Sequence, residues 1–153
     1  MSLVLSLRFY GLEGILDKLK KIEQNIKNDR AMFTKMAVWA FKDVQDHFQK
    51  ESGSSGRWPS LSQATIKSRR QGKKAGRSPR MLQDTGRLKN SLLPTTGKTR
   101  FIPDGVILYT DLVYASAHNF GTDKIPQREF MWLSNEAKRQ IIEVVRKHVM
   151  HGP

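Results

Sequence analysis

Between Asp29 and Phe48 the apolar residues Phe33, Met36, Ala37, Ala40, Phe41, Val44 and Phe48 recur at spacings of three and four, the period of a helix with one buried face. Asp29 stands ahead of the run as an N-cap. A stripe this apolar must be covered along its length, so this helix is the expected spine of the core. At 153 residues folding removes roughly 70% of the unfolded chain's surface from water. One core without metal or disulfide is then sufficient, and a single domain over 1–153 is expected. The chain has no cysteine, which excludes a disulfide framework and thiol chemistry and is compatible with a reducing cytosol.

Other segments arrange themselves around that spine. Leu3, Leu5, Leu7 and Phe9 alternate with Val4, Ser6 and Arg8, the pattern of a strand with one buried face. The same start is too short for a secretory signal, and no apolar run reaches membrane-spanning length. From Gly14 to Asn28, Ile15, Leu16, Leu19, Ile22 and Ile26 form one stripe of an amphipathic helix. Ser52, Gly53, Ser54, Ser55 and Gly56 read as a flexible surface loop that Trp58-Pro59 re-anchors. A short helix is expected over Leu61–Gln71, and Asp84 or Thr85 can cap one or two turns holding Leu88 and Leu92. Thr99–Ile102 and Val106–Thr110 flank Pro103-Asp104-Gly105 and predict a β-hairpin. Asp111 can cap a short helix that ends at Gly121, and Ser134 can cap the last helix. The order β, α, α, irregular, β, β, α, α predicts an α+β fold. Its small antiparallel sheet, the N-terminal strand plus the hairpin near 99–110, would be packed by two long N-terminal helices and a C-terminal helix.

Charge is unevenly spread. The net charge is +13, and the nine cations Lys67, Arg69, Arg70, Lys73, Lys74, Arg77, Arg80, Arg87 and Lys89 against the single acid Asp84 supply +8 of it. Such a field favours nucleic acid, anionic surfaces or acidic protein partners. Gly72–Pro79 cannot bury itself and repels itself, so mobile loops are expected near 52–57 and 72–79. Lys67, Arg69, Arg70, Lys73, Lys74, Arg77 and Arg80 are the candidate contacts to a partner or to nucleic acid. Aromatic residues are scarce between Trp58 and Phe101, so platforms for stacking bases are lacking.

Tyr114–Leu133 concentrates residues that shape backbone. Gly121 can end a helix with positive φ, and Pro126 forces Ile125 to be extended, so a rigid turn is expected to present Gln127, Arg128, Glu129 and Phe130. His118 has Asp111, Ser116 and Asp123 nearby in sequence, but no nucleophile elbow or second motif accompanies them. His47, His148 and His151 do not have ligand spacing, and no phosphate-binding glycine fingerprint is present. No catalytic, cofactor or metal residue is expected.

Three stretches match one pattern: Arg57-Trp58-Pro59-Ser60-Leu61-Ser62 with Thr65 and Lys67; Met81-Leu82-Gln83-Asp84-Thr85-Gly86-Arg87-Leu88 with Ser91; and Tyr114-Ala115 through His118-Asn119-Phe120-Gly121 to Ile125-Pro126-Gln127-Arg128-Glu129-Phe130 and Ser134. In series they resemble the phage virion morphogenesis family, tail-completion proteins of the phage Mu G type. The likeness runs from about Trp58 to Ser134. It marks Trp58, Pro59, Leu61, Leu82, Asp84, Gly86, Leu88, Tyr114, Ala115, Asn119, Phe120, Gly121, Pro126, Arg128 and Phe130 as structural motif residues. Ser60 and Glu129 stand where the family tends to have proline, and Trp132 where glycine is common.

The resemblance implies a non-enzymatic phage or prophage protein, made in the bacterial host cytoplasm and carried in the virion, that acts in tail completion or head-tail joining. A ring of copies is the implied working form, compatible with a monomer when free, and heterologous contacts between copies would build it. Tail-tube or head-neck proteins are the implied partners, with non-specific contact to phage DNA and none to membrane. Arg128 would clamp a carboxylate, either Asp84 or Asp111 within the fold or an acid on a partner. The alternative, from charge alone, is a basic nucleic-acid-binding module acting through Lys67–Lys89.

Overall fold

The structure is a computed structural model and describes residues 12–26, 29–72 and 75–151. The expected strand Leu3–Phe9 lies outside the described residues. Helix α1 spans Leu12–Ile26, α2 Arg30–Lys50, α3 Gln63–Gln71, α4 Arg87–Asn90, α5 Tyr114–Phe120 and α6 Asn135–His151. Strands β1 (Ser52–Gly53) and β2 (Gly56–Arg57) form one antiparallel hairpin, and β3 (Lys98–Ile102) and β4 (Gly105–Tyr109) form a second. The fold is α+β.

Helix α2 is the spine. It contacts α6, both strands of the second hairpin, and β1. Asp29 caps it, Oδ1 accepting from Met32 N at 2.6 Å, and Phe33, Ala37, Ala40, Phe41, Val44 and Phe48 are buried on one face. The core cluster adds Trp58, Met81, Leu88, Leu92, Ala115 and Phe130 to Phe41, Val44 and Phe48. Trp58 meets Phe48 edge-on at 5.7 Å and Phe130 lies 5.5 Å from Phe48, separations at which ring pairs add to their burial.

Irregular chain between α3 and β3 is pinned to α2 by side chains, because backbone without a ladder must find its partners elsewhere. Gln45 Nε2 donates to the carbonyls of Lys89 (3.2 Å) and Leu92 (3.0 Å), and Gln83 Nε2 to Phe48 O (2.8 Å). Met81 N donates to Glu51 Oε1 at 2.7 Å. Helix α6 is held at its start by Ser134, whose Oγ accepts from Ala137 N at 3.1 Å and donates to Asp43 Oδ1 at 2.6 Å.

Several local readings are corrected. The expected loop at 52–57 is a tight hairpin registered Ser52↔Arg57 and Gly53↔Gly56, closed where Glu51 turns left-handed (φ 51) after α2. Neither Asp84 nor Thr85 caps α4. Gly86 (φ 74) occupies that position without a side-chain bond, and Asp84 instead faces Arg69 and Arg77. Asp111 does not cap α5, which begins after Val113, because Asp111 pairs with Lys98 across the hairpin. The second hairpin forms as expected, but Gly105 pairs with Ile102, leaving Pro103-Asp104 as the turn. Helix α1 touches α6 while Ile15, Leu16 and Leu19 stay exposed, so its amphipathic stripe is covered only towards its C-terminal end, where Ile22 and Ile26 are half-buried.

Candidate functional site

The three motif stretches converge. A cleft of about 410 Å³ is lined by Leu61 from the first, by Leu82, Asp84, Thr85, Gly86, Arg87 and Leu88 from the second, and by Tyr114, His118 and Arg128 from the third, with Arg69 of α3 alongside. Its floor is aliphatic and its walls are cationic.

Each wall has a local cause. Ser62 caps α3, accepting from Thr65 N at 3.2 Å, and the helix carries Arg69 inward. Arg69 then gathers the chain after the α3 loop: one of its terminal NH2 groups donates to Ser78 O (2.7 Å) and Arg80 O (2.9 Å), and Nε lies 3.2 Å from Asp84 Oδ1. Arg77 donates to the other Asp84 oxygen at 2.7 Å. Leu82, half-buried beside them, holds a positive φ of 56, an outlier for a bulky residue that persists only where the surroundings fix it.

On the opposite wall Tyr114 and His118 lie one turn apart on α5, ring centroids 6.1 Å apart and edge to face. Gly121 ends this helix with φ 77 and ψ 168, a region open essentially to glycine. Thr122 and Ile125 then exchange backbone bonds of 2.8 and 3.2 Å, and Arg128 N returns to His118 O at 2.8 Å. A turn forms at the expected place, but it points Arg128 and Phe130 into the fold.

Arg128 does not clamp Asp84 or Asp111. Its Nε donates to Pro59 O at 2.8 Å and its NH2 to Ser60 O at 3.0 Å, so its fork joins the first motif stretch to the third through main-chain oxygens. Only 6% of the residue is exposed. Burial first and the Arg69 charge second lower its guanidinium from the ordinary value. Burial first and the Arg128 charge second likewise hold the His118 imidazole below 6.5, and His118 Nδ1 is buried without a hydrogen-bond partner among the described residues.

The remaining motif residues are architectural. Trp58 Nε1 donates to Glu129 O at 2.9 Å, and Asn119 Oδ1 accepts from Phe130 N and Met131 N. Ala115, Leu88 and Phe130 are core, whereas Pro59, Phe120 and Pro126 are exposed. At two departures from the family pattern the chain has its own contacts. Glu129 accepts from the Ser54 hydroxyl on the first hairpin, and Trp132 stacks on His47 at 4.4 Å.

The predicted basic contacts divide. Lys67, Arg70, Arg77 and Arg80 are exposed, Arg69 is turned inward, and Lys73 and Lys74 lie outside the described residues. Ser116 donates to Val113 O, and Asp111 and Lys98 form an ion pair. Among the described residues no cluster of metal-binding side chains forms. Sequence reasoning missed Arg87 and His118 as cleft residues. The i, i+4 pairing of Tyr114 with His118 inside a motif stretch was the available signal.

Fold and cleft define an α+β domain whose motif residues build a shared frame around a cationic pocket. The chain belongs to the phage virion morphogenesis family, whose model matches residues 11–150, and its role lies in phage virion morphogenesis. No curated protein and no solved structure matches it. Among the described residues no helix is long and apolar enough to cross a membrane.

Proposed function

We propose that this protein is a non-enzymatic structural component that completes the phage tail or joins it to the head, assembling with copies of itself as a ring and docking on tail-tube or head-neck proteins. The observation that carries the reading is the convergence of all three motif stretches on one cleft, where Arg69 and Arg128 hold main chain and Asp84 holds Arg69 and Arg77. Surface chemistry supports docking. Val113 is 93% and Phe120 74% exposed, and both border an apolar groove of about 440 Å³ floored by Leu108, Leu112, Phe130 and Met131. Exposed apolar groups gathered in one concavity favour a protein partner. The exposed Lys67, Arg70, Arg77 and Arg80 suit non-specific contact with DNA passing through the neck.

Deleting the gene from the phage genome and imaging the particles tests the reading. Separate heads and unfinished or unattached tails are expected, with complementation restoring joined particles. Normal numbers of infectious, joined particles would refute it.

A further inference from the structure

The Arg128 guanidinium is buried and positive, yet none of the ion pairs among the described residues includes it. A buried charge satisfied only by two carbonyls is costly, and charges in such places are ordinarily met by an opposite one. The internal carboxylate of the cleft does not serve it, since Asp84 is engaged on the other side by Arg69 and Arg77. His118 brings a second observation to the same wall, a buried Nδ1 without a partner among the described residues. Arg87 stands exposed at the rim. Leu61, Leu82 and Leu88 supply apolar area beneath these groups.

We propose that the cleft is a receptor for a carboxylate carried on an apolar segment of a partner protein, an Asp or Glu flanked by aliphatic residues. Arg128, Arg87 and His118 donate to the carboxylate, and Leu61, Leu82 and Leu88 seat the flanking side chains. This deepens the docking role proposed above and rests on it for the identity of the partner as a virion protein. Duplex DNA is the poorer fit. Its phosphates lie on a convex ridge and are met by exposed cations, whereas Arg128 is reached only inside a cleft with an aliphatic floor. A planar guanidinium fork is well matched to a carboxylate.

The full chain, labelled for NMR, is titrated with a capped Leu-Asp-Leu tripeptide, with its Leu-Asn-Leu counterpart and with a short DNA duplex. The Asp peptide should shift the Arg128 Nε–H and His118 ring resonances saturably at millimolar concentration, and the Asn peptide should bind at least about tenfold more weakly, as loss of a charge-assisted bond requires. Arg128→Met should abolish the response. Because that change also frees two backbone carbonyls, Arg87→Gln at the exposed rim is the second variant, expected to weaken the Asp peptide several-fold with the amide spectrum otherwise unchanged. Equal shifts from both peptides, a flat Asp titration, an unaltered response in Arg87→Gln, or duplex DNA moving the same resonances at lower concentration would each overturn the assignment. A flat titration removes the cleft receptor alone, whereas joined particles from the deletion strain remove the tail-completion reading alone.

Discussion

The side-chain oxygen of Asn119 accepts the backbone N–H of Phe130 at 3.0 Å inside the core, and the same atom takes Met131 N–H at 2.9 Å. One residue at the end of α5 thus closes the chain that follows the turn, where no strand among the described residues pairs it. Removing the acceptor leaves a buried donor unsatisfied, at about 1–3 kcal/mol for each such group. Asn119→Ala is therefore expected to lower stability by about 2–4 kcal/mol. Urea unfolding checks this as a lower midpoint at unchanged slope.

Glycine at two positions answers to geometry of different kinds. Gly121 combines positive φ with close approach, since an added Cβ would lie 3.0 Å from Gln127 N and 3.1 Å from Gln127 Cβ. A β-branched side chain is strongly disfavoured there, so Gly121→Val should cost about 2–4 kcal/mol or prevent folding. At Gly97 the backbone is ordinary but a Cβ would fall 2.3 Å from Phe41 Cζ and 2.7 Å from Leu93 O. Gly97→Ala should then cost about 1–3 kcal/mol by overpacking, and the double variant Gly97→Ala with Phe41→Leu should recover part of it. Thermal melts of the three proteins decide the point. A Gly97→Ala variant as stable as the parent would show that the ring gives way freely.

What could be read from sequence was chemistry that closes locally. Asp29 and Ser134 cap the helices they precede, Pro103-Asp104 turns a hairpin, and Gly121 takes positive φ because each acts within a few residues of itself. Asp84 and Asp111 looked equally suited to capping and do not cap, since Arg69 and Lys98 reach them first across the fold. The contest between a helix terminus and a distant cation has no local signature. Arg128 was legible as a motif residue but not as a clamp on main-chain oxygens 68 and 69 residues away, and nothing near Gly97 announces Phe41. The cleft itself emerged only when three separated stretches came together.

Acid should act on the cleft through His118. Its folded value lies below 6.5 because of burial and Arg128, so the unfolded chain takes up this proton at higher pH than the folded one. Folding is thus favoured fully above about pH 6.5, and that contribution is lost as pH falls from there through the folded value. Tyr114, Asp84, Arg69, Arg87 and Arg128 are the charged and titratable groups around it in the cleft. His118→Gln should flatten the stability profile between about pH 7 and pH 5 relative to the parent. An unchanged difference between the two proteins across that range would place the acid sensitivity elsewhere.

Two neighbouring arginines on α3 are expected to behave in opposite ways. Arg69 bonds Ser78 O and Arg80 O and faces Asp84, so Arg69→Gln should release the chain that follows the α3 loop and cost about 1–3 kcal/mol. Arg70 is exposed, and Arg70→Gln should leave stability within about 0.5 kcal/mol. On duplex DNA the ranking reverses. If the exposed cations meet phosphates, Arg70→Gln should reduce the slope of log affinity against log salt by about one, and adding Lys67→Gln should reduce it by about one more. Arg69→Gln should leave that slope within error wherever the protein stays folded. Urea unfolding and fluorescence anisotropy over a salt series read the two halves separately, and a salt slope that falls equally for Arg69→Gln and Arg70→Gln would mean that the inward arginine also reaches the nucleic acid.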